Sequence, residues 1–364
     1  MSVAMTGARG FLGWHTRAAL KETSTTVQSV AVGDNFDADA AARAASSDRF
    51  IHIAGVNRGS EVDVAEGNVH FAEQAASAIV TAEPPPSVVS FANSTQSTNG
   101  TVYGESKARA AGILASAAER VGAEFVDLHL PNLFGEHGRP FYNAVTSTFC
   151  QLLADGEEPT VEHDKELTLL HAQDAADALI GAAPATTVES LSAQETVSGL
   201  LGRLRGVSAV YAEGEIPDIA SPFSRNLFNT YRSYTFPTHA PVRISRNADA
   251  RGSFFEIVRS RGGSGQSSFS TTVAGVTRGD HFHRRKIERF TVLSGRAVIR
   301  LRRLFTEDVI EFHVDGESPV AIDMPTMWSH SIQNTGHQLL YTAFWTNDIF
   351  DPSAPDTIDE AVIR

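Results

Sequence analysis

The chain has 364 residues, with 43 acidic and 30 basic side chains and a formal net charge of −13. That length calls for two domains rather than one, and the acidic balance excludes nucleic acid and membranes as partners, because nonspecific binding to either relies on clustered positive charge. Composition is 42% hydrophobic and 20% charged, which is globular and carries no signature of disorder. The single cysteine, Cys150, rules out an internal disulfide and a cysteine-based zinc knuckle; it reads as a buried filler and fits a reducing cytosol. With a strand starting at Ser2, no charged leader, no apolar signal core and no apolar run near about 18 residues, a soluble cytoplasmic protein is expected.

Over the first ~180 residues short apolar runs alternate with Ala-rich amphipathic stretches, the pattern of a parallel sheet flanked by helices. Strands are predicted at 3–5, 27–32, 50–54, 88–92 and 125–130, and helices at 12–21, 68–82 and 107–121. From residue 242 the texture changes to glycine-rich turns between short β-branched and aromatic runs, among them 290–293, 297–301, 320–323 and 339–344. The expected architecture is α/β: a Rossmann-type parallel sheet with flanking helices over 1–241, then an all-β barrel or jelly roll over 242–364. The Pro-containing stretch 236–241 marks the boundary.

Thr6-Gly7-Ala8-Arg9-Gly10-Phe11-Leu12-Gly13 follows the first predicted strand and opens the first helix. Glycines at this spacing let the backbone turn tightly and approach a pyrophosphate, while the helix N-terminus supplies N–H donors. Ordinary turn glycines give the same pattern, so the loop draws its weight from residues further along the chain. Tyr103 and Lys107 share one helical face. An ammonium beside a phenol is expected to lower its pKa, so that Tyr103 delivers a proton to a carbonyl oxygen as hydride arrives. Ser94, in the Ser/Thr-rich loop after the fourth strand, either hydrogen-bonds the same oxygen or caps a turn.

In this order and context the glycine loop, Ser94, Tyr103 and Lys107 resemble the extended short-chain dehydrogenase/reductase family. The resemblance implies catalysis by Ser94, Tyr103 and Lys107. It implies a nicotinamide cofactor held by Gly7, Arg9, Gly10, Phe11, Leu12 and Gly13, passed by Ala54 and Gly55, steadied by Asn68, and bounded by Tyr103, Lys107 and Leu133. Pro131-Asn132-Leu133-Phe134-Gly135 resembles the family's turn beside nicotinamide and sugar, and Asp174 lies in a segment like its V-x-D stretch. Asp34, after the second strand, favours a free ribose hydroxyl and hence NADH. Arg9 favours a 2′-phosphate and hence NADPH, and these residues leave the choice open. His129 stands where many members carry arginine.

The carboxy-terminal part holds His281-Phe282-His283 and Glu288 between Gly275 and Gly295. Alternation along a strand puts both imidazoles on one face. Pro325, Met327, His330 and Asn334 continue the pattern, and the two motifs resemble those of the cupin family, with Met327 where its glycine usually stands. Three histidines and one carboxylate suit one divalent metal: zinc, iron, nickel or manganese. A histidine-rich surface within the charged run 278–289 is the bland alternative; His239, His313 and His337 read as surface residues.

A short-chain reductase followed by a cupin is an uncommon order, and it resembles the CapF family of capsular polysaccharide synthesis enzymes. Matching stretches include His52-Ile53-Ala54-Gly55-Val56-Asn57-Arg58, Glu166-Leu167-Thr168-Leu169, Arg251-Gly252-Ser253-Phe254, Val292-Leu293-Ser294-Gly295 and Phe350-Asp351-Pro352. This resemblance implies a homodimer with zinc in the cupin. It implies epimerisation at carbon 3 of a UDP-linked 2-acetamido-2,6-dideoxy-4-hexulose by the cupin, then reduction of the carbon 4 ketone with NADPH. The product is a UDP-N-acetyl-6-deoxy-L-talosamine, a precursor of N-acetyl-L-fucosamine. Asn132, Pro140 and Asn143 are the candidates for substrate contact, with Arg225 on the diphosphate; His337 and Asp323 are the candidates for proton transfer in the cupin. Two alternatives stay open: a reductase with a structural cupin, and a nicotinamide-sensing regulator, against which the Ser94, Tyr103 and Lys107 set speaks.

Overall fold

Alternation decides the centre of the first sheet. In the computed structural model, which describes residues 1–364, β1 (Ser2–Thr6) turns Ala4 to one face and Val3 and Met5 to the other, all fully buried. It pairs in parallel with β2 (Thr26–Val30) and β3 (Arg49–His52), and β4 (Val88–Ser94) and β5 (Glu124–Leu130) complete the order β2-β1-β3-β4-β5. Helices α1 (Phe11–Glu22), α2 (Ala38–Ala45), α3 (Glu61–Thr81) and α4 (Val102–Val121) cover it. Their alanines let the helices approach closely: Ala72, Ala75, Ala110 and Ala117 share one core with Phe50 and Phe91, while Ala19, Leu20 and Ile51 belong to the core on the other face.

The chain continues through β6 (Asn132–Phe134), α5 (Val145–Ala154), β7 (Glu166–His171), α6 (Ala172–Ile180), α7 (Thr187–Ser190) and β8 (Ala193–Thr196). Strands β6, β7 and β8 make a small mixed sheet. Both long helices start earlier than the apolar periodicity predicts, because polar caps set their ends. Ser60 and Asp63 form a capping box before α3, and Thr101 Oγ1 accepts from Gly104 N at 3.1 Å before α4. Strand β3 ends at His52, short of the predicted 54, since the next amides, Ile53 and Ala54, donate to Thr6 Oγ1 instead of to a strand.

Two compact units result: Met1–Phe134, Phe141–Ala144 and Lys165–Thr196 form one, and Gly135–Pro140, Val145–Asp164 and Val197–Arg364 the other. The expected boundary at 241 therefore differs from the observed division, which sets α5, α8 (Val197–Ala212) and α9 (Pro222–Thr235) with the carboxy-terminal strands. The reason lies in what these helices bury. Ile216, Ile219 and Phe228 share a core with Ile287 and Trp345. Tyr211 donates to Asp323 Oδ2 at 2.9 Å, Arg232 to Met324 O at 3.2 Å and Asn229 to Arg285 O at 3.0 Å.

The strands of this unit form two five-stranded antiparallel sheets and a separate hairpin, β10 (Asn247–Asp249) with β11 (Gly252–Phe254). One sheet runs β12 (Gln266–Thr272), β19 (Leu340–Thr346), β14 (Glu288–Ser294), β17 (Val320–Met324), β9 (Val242–Arg243). The other runs β16 (Val309–Asp315), β15 (Arg296–Arg303), β18 (Trp328–Asn334), β13 (Thr277–Phe282), β20 (Ile358–Asp359). Phe290, Val292 and Ile322 from the first meet Ile299, Leu301 and Ile332 from the second in one core. Cys150 is buried on α5, where burial pushes its thiol far above the ordinary value. No helix is long and apolar enough to cross a membrane.

Candidate functional site

The first unit builds its site where β1, β3 and β4 end. Gly7 has φ +70, and a β-carbon there would stand 2.7 Å from Ala54 N; one on Gly13 would stand 2.1 Å from Gly7 O. Only glycine allows this packing of loop, helix and strand end. Gly10 caps α1, Phe11 opens it, Leu12 is buried and Arg9 is exposed. Asn68 fixes the opposite wall: its Oδ1 accepts from Val56 N at 3.0 Å, and its Nδ2 donates to Val56 O at 2.8 Å, Val64 O at 3.0 Å and Ser106 Oγ at 3.1 Å. Ala54 and Gly55 are thereby held beside the loop. Thr6 and His52 carry no motif of their own, yet Thr6 Oγ1 lies 2.9 Å from His52 Nδ1; burial, then the Lys107 charge, pushes this histidine down to about 3.

Ser94 ends β4 and Tyr103 and Lys107 lie on α4, so the three meet at one strand end. The expected electrostatics of the pair is corrected by the structure. Burial raises the Tyr103 phenol above its ordinary value, with a hydrogen bond to Ser94 opposing the rise. Lys107 donates its ammonium to Ala92 O at 2.6 Å and lies 4.1 Å above the Phe91 ring. Burial pushes Lys107 down to about 7, against the pull of Asp127. Asp127 belongs to a relay that no local motif reveals: its Oδ2 accepts from Asn93 Nδ2 and faces His129 Nε2, both at 3.1 Å, while Asn93 Oδ1 accepts from Ser94 N at 2.8 Å.

The remaining candidates are divided between the two units. Leu133 packs against the core of the first unit, Asn132 donates to Thr168 O at 3.2 Å and Asn143 to Asn57 O at 3.0 Å. Pro140 and Arg225 belong to the second unit, where Arg225 is half-buried with its Nε unsatisfied. Asp174 is in the first turn of α6.

In the second unit His281, His283, Glu288 and His330 present ligand atoms within 4.8 Å of one another. One carboxylate oxygen, Glu288 Oε2, faces His283 Nε2 at 3.0 Å and His330 Nε2 at 3.2 Å. The other nitrogens of those rings face carbonyls, Asp356 O at 2.5 Å and Trp328 O at 3.3 Å. A neutral imidazole has one N–H, and the tautomer that gives it to the carbonyl is the one that leaves Nε2 free to bind a cation. Burial lowers His330, and burial followed by the other two imidazoles lowers His281 to about 3. Glu288 is held well below the usual carboxylate range; burial opposes this, and the facing imidazoles outweigh it. Neutral imidazoles around a charged carboxylate are the form that binds a divalent cation, and the four residues fit one. Met327, in the place of the family's glycine, keeps φ +59 and donates its N–H to His283 O at 2.6 Å.

Of the four, His281 and Glu288 line a cavity of about 330 Å³, together with Arg278, Lys286, Phe290 and Asp348. The two candidates for proton transfer are corrected. Asp323 is buried in a bidentate pair with Arg289 at 2.6 and 2.8 Å, and His337 is exposed in the turn after β18; neither lines the cavity.

Comparison with known proteins agrees with both halves. Residues 3–190 match the NAD dependent epimerase/dehydratase family and residues 247–358 the polysaccharide biosynthesis C-terminal domain. A UDP-2-acetamido-2,6-beta-L-arabino-hexul-4-ose reductase of Pseudomonas aeruginosa is 29% identical over 366 residues, 98% of each chain. The crystal structure of the capsular polysaccharide assembling protein CapF from Staphylococcus aureus is similar at 30% identity and TM-score 0.61, covering 99% of this chain and all of that one. A CapF structure with the inhibitor 3-isopropenyl-tropolone is similar at 28% identity and TM-score 0.54, with the same coverage. The chain belongs to the NAD dependent epimerase/dehydratase family and, over its whole length, to the CapF group within it.

Proposed function

We propose that this chain converts a UDP-linked 4-keto-6-deoxy amino sugar in two steps, epimerising carbon 3 in a cupin domain and reducing the carbon 4 ketone in the Rossmann unit. The observation that carries this reading is the presence in one chain of Ser94, Tyr103 and Lys107 beside a glycine loop and of a three-histidine, one-glutamate cluster of which His281 and Glu288 line a cavity. The reductase relative and the CapF structures support the substrate class.

NADPH would supply the hydride, with Arg9 the residue for its 2′-phosphate. The raised Tyr103 keeps its proton at neutral pH, which is the state needed to protonate an oxygen as hydride reaches its carbon. Ser94 orients that oxygen, and Lys107 places a charge that titrates near neutrality behind the phenol. His281, His283, Glu288 and His330 would hold the divalent metal, zinc, which supplies polarisation of the ketone and so acidity at carbon 3. A tropolone offers two adjacent oxygens, a chelating pair, and its description as a CapF inhibitor supports a metal in this group. Epimerisation precedes reduction, because reduction removes the carbonyl that acidifies the neighbouring C–H. Asn132, Pro140, Asn143 and Arg225 are the substrate contacts in this reading, and the enzyme is a cytoplasmic homodimer.

The test is incubation with UDP-2-acetamido-2,6-dideoxy-4-hexulose and NADPH in deuterated water, with NMR of the product. Deuterium at carbon 3 and oxidised cofactor are expected, and His281→Ala should abolish the label. Oxidised cofactor without label in the wild type would leave the cupin a structural module.

A further inference from the structure

Four consecutive amides between two of the metal-site residues find their acceptors in one distant stretch of chain. Asp356 Oδ1 accepts from Arg284 N at 2.9 Å, and Oδ2 accepts from Arg285 N at 2.8 Å and Lys286 N at 2.7 Å. Asn347 Oδ1 takes the next, Ile287 N, at 2.7 Å. This loop joins His283 to Glu288, so its shape sets the distance between those two side chains. The Asp356 backbone carbonyl, meanwhile, lies 2.5 Å from His283 Nδ1. A carbonyl only accepts, so it favours the tautomer with the hydrogen on Nδ1, the one in which Nε2 keeps a lone pair for a cation shared with Glu288. Asp356 does both from φ +42, a left-handed conformation that aspartate and asparagine adopt more readily than other side chains.

We propose that Asp356 is the positioning residue of the metal centre, its carbonyl fixing the His283 tautomer and its carboxylate tying the 284–286 loop so that His283 and Glu288 converge on one cation. The inference rests on the reading of the cluster as a metal site. Outer partners of this kind change metal affinity by about 10- to 100-fold when removed. Aspartate suits the place because two oxygens serve three N–H donors and its negative charge complements a concave run of amides. Lys286 strengthens the attachment, its ammonium lying 3.2 Å from both Pro355 O and Thr357 Oγ1.

The experiment uses the full chain loaded with Zn²⁺, and follows transfer of the metal to a chromophoric chelator. Asp356→Ala should release zinc about 100-fold faster than wild type and Asp356→Asn about 10-fold faster, the amide retaining one acceptor oxygen. With Co²⁺ as the probe the visible absorption of both variants should shift, while NADPH binding to the other unit stays as in wild type. His281→Ala, which removes a ligand outright, is the control. Wild-type release rates and spectra in both Asp356 variants, with His281→Ala losing metal rapidly, would overturn the proposal and leave the metal site standing. A wild-type chain that holds no stoichiometric zinc would overturn both. Should Asp356→Ala fail to fold, Asp356→Asn decides.

Discussion

Replacing Lys107 with methionine keeps the length of the side chain and removes its proton equilibrium. In the wild type Lys107 is 4% exposed, and burial lowers it from 10.5 to about 7. A depressed folded pKa means that the unfolded chain holds a proton across a window in which the native chain has lost it. The associated stability is complete above 10.5 and is lost as pH falls through about 7. The full fall corresponds to about 5 kcal/mol at about 1.4 kcal/mol per pH unit. Between about pH 7 and about pH 9 the gain is about 2 kcal/mol, because at the lower end the native lysine is still half charged. Urea unfolding of the two proteins at both pH values, without cofactor, reads this directly, and subtracting one pair from the other cancels every group they share. Wild type should gain on Lys107→Met by that amount as pH rises. Parallel curves, with a difference constant to within about 0.5 kcal/mol, would refute the assignment of a neutralised buried ammonium.

Tyr103→Phe should lower ketone reduction by about 100- to 10,000-fold while NADPH titration by fluorescence stays near wild type, since the ring remains and only the proton donor goes. Gly13→Ala would push a β-carbon to 2.1 Å from Gly7 O; the displaced loop should abolish NADPH binding in the same titration and cost about 1–3 kcal/mol in urea. Asp323→Ala leaves Arg289, 3% exposed, without its carboxylate. Unfolding by urea should show a loss of about 3–5 kcal/mol.

What could be read from the sequence was local chemistry. Gly7 and Gly13 work against neighbours a few residues away or one strand over, and their spacing carried meaning once Ser94, Tyr103 and Lys107 stood beside it. His281 and His283 come together, although β13 ends at Phe282 and its register shifts between Gly279 and His281. What could not be read was set by burial or by distance along the chain. The Tyr103 phenol moves opposite to expectation because burial outweighs the Ser94 hydrogen bond, and Lys107 turns to a backbone carbonyl. Asp127 and Asn93 join across two strands, and Asp356 reaches the 284–286 loop from far downstream. Ser60 and Thr101, by contrast, were visible cap signals that would have corrected two helix starts. The helices at 197–235 show which face is apolar but not which core receives it.

That last point bears on how such enzymes diversify. Since α5, α8 and α9 belong with the carboxy-terminal strands, the second unit is stitched from three separate stretches of chain. A fragment beginning at 242 would bare Ile287 and Trp345 to water and deprive Asp323 of the Tyr211 hydroxyl. The two halves are therefore not cassettes to be exchanged at a linker: a recombinant that trades one strand sandwich for another must carry 135–140, 145–164 and 197–241 along with it.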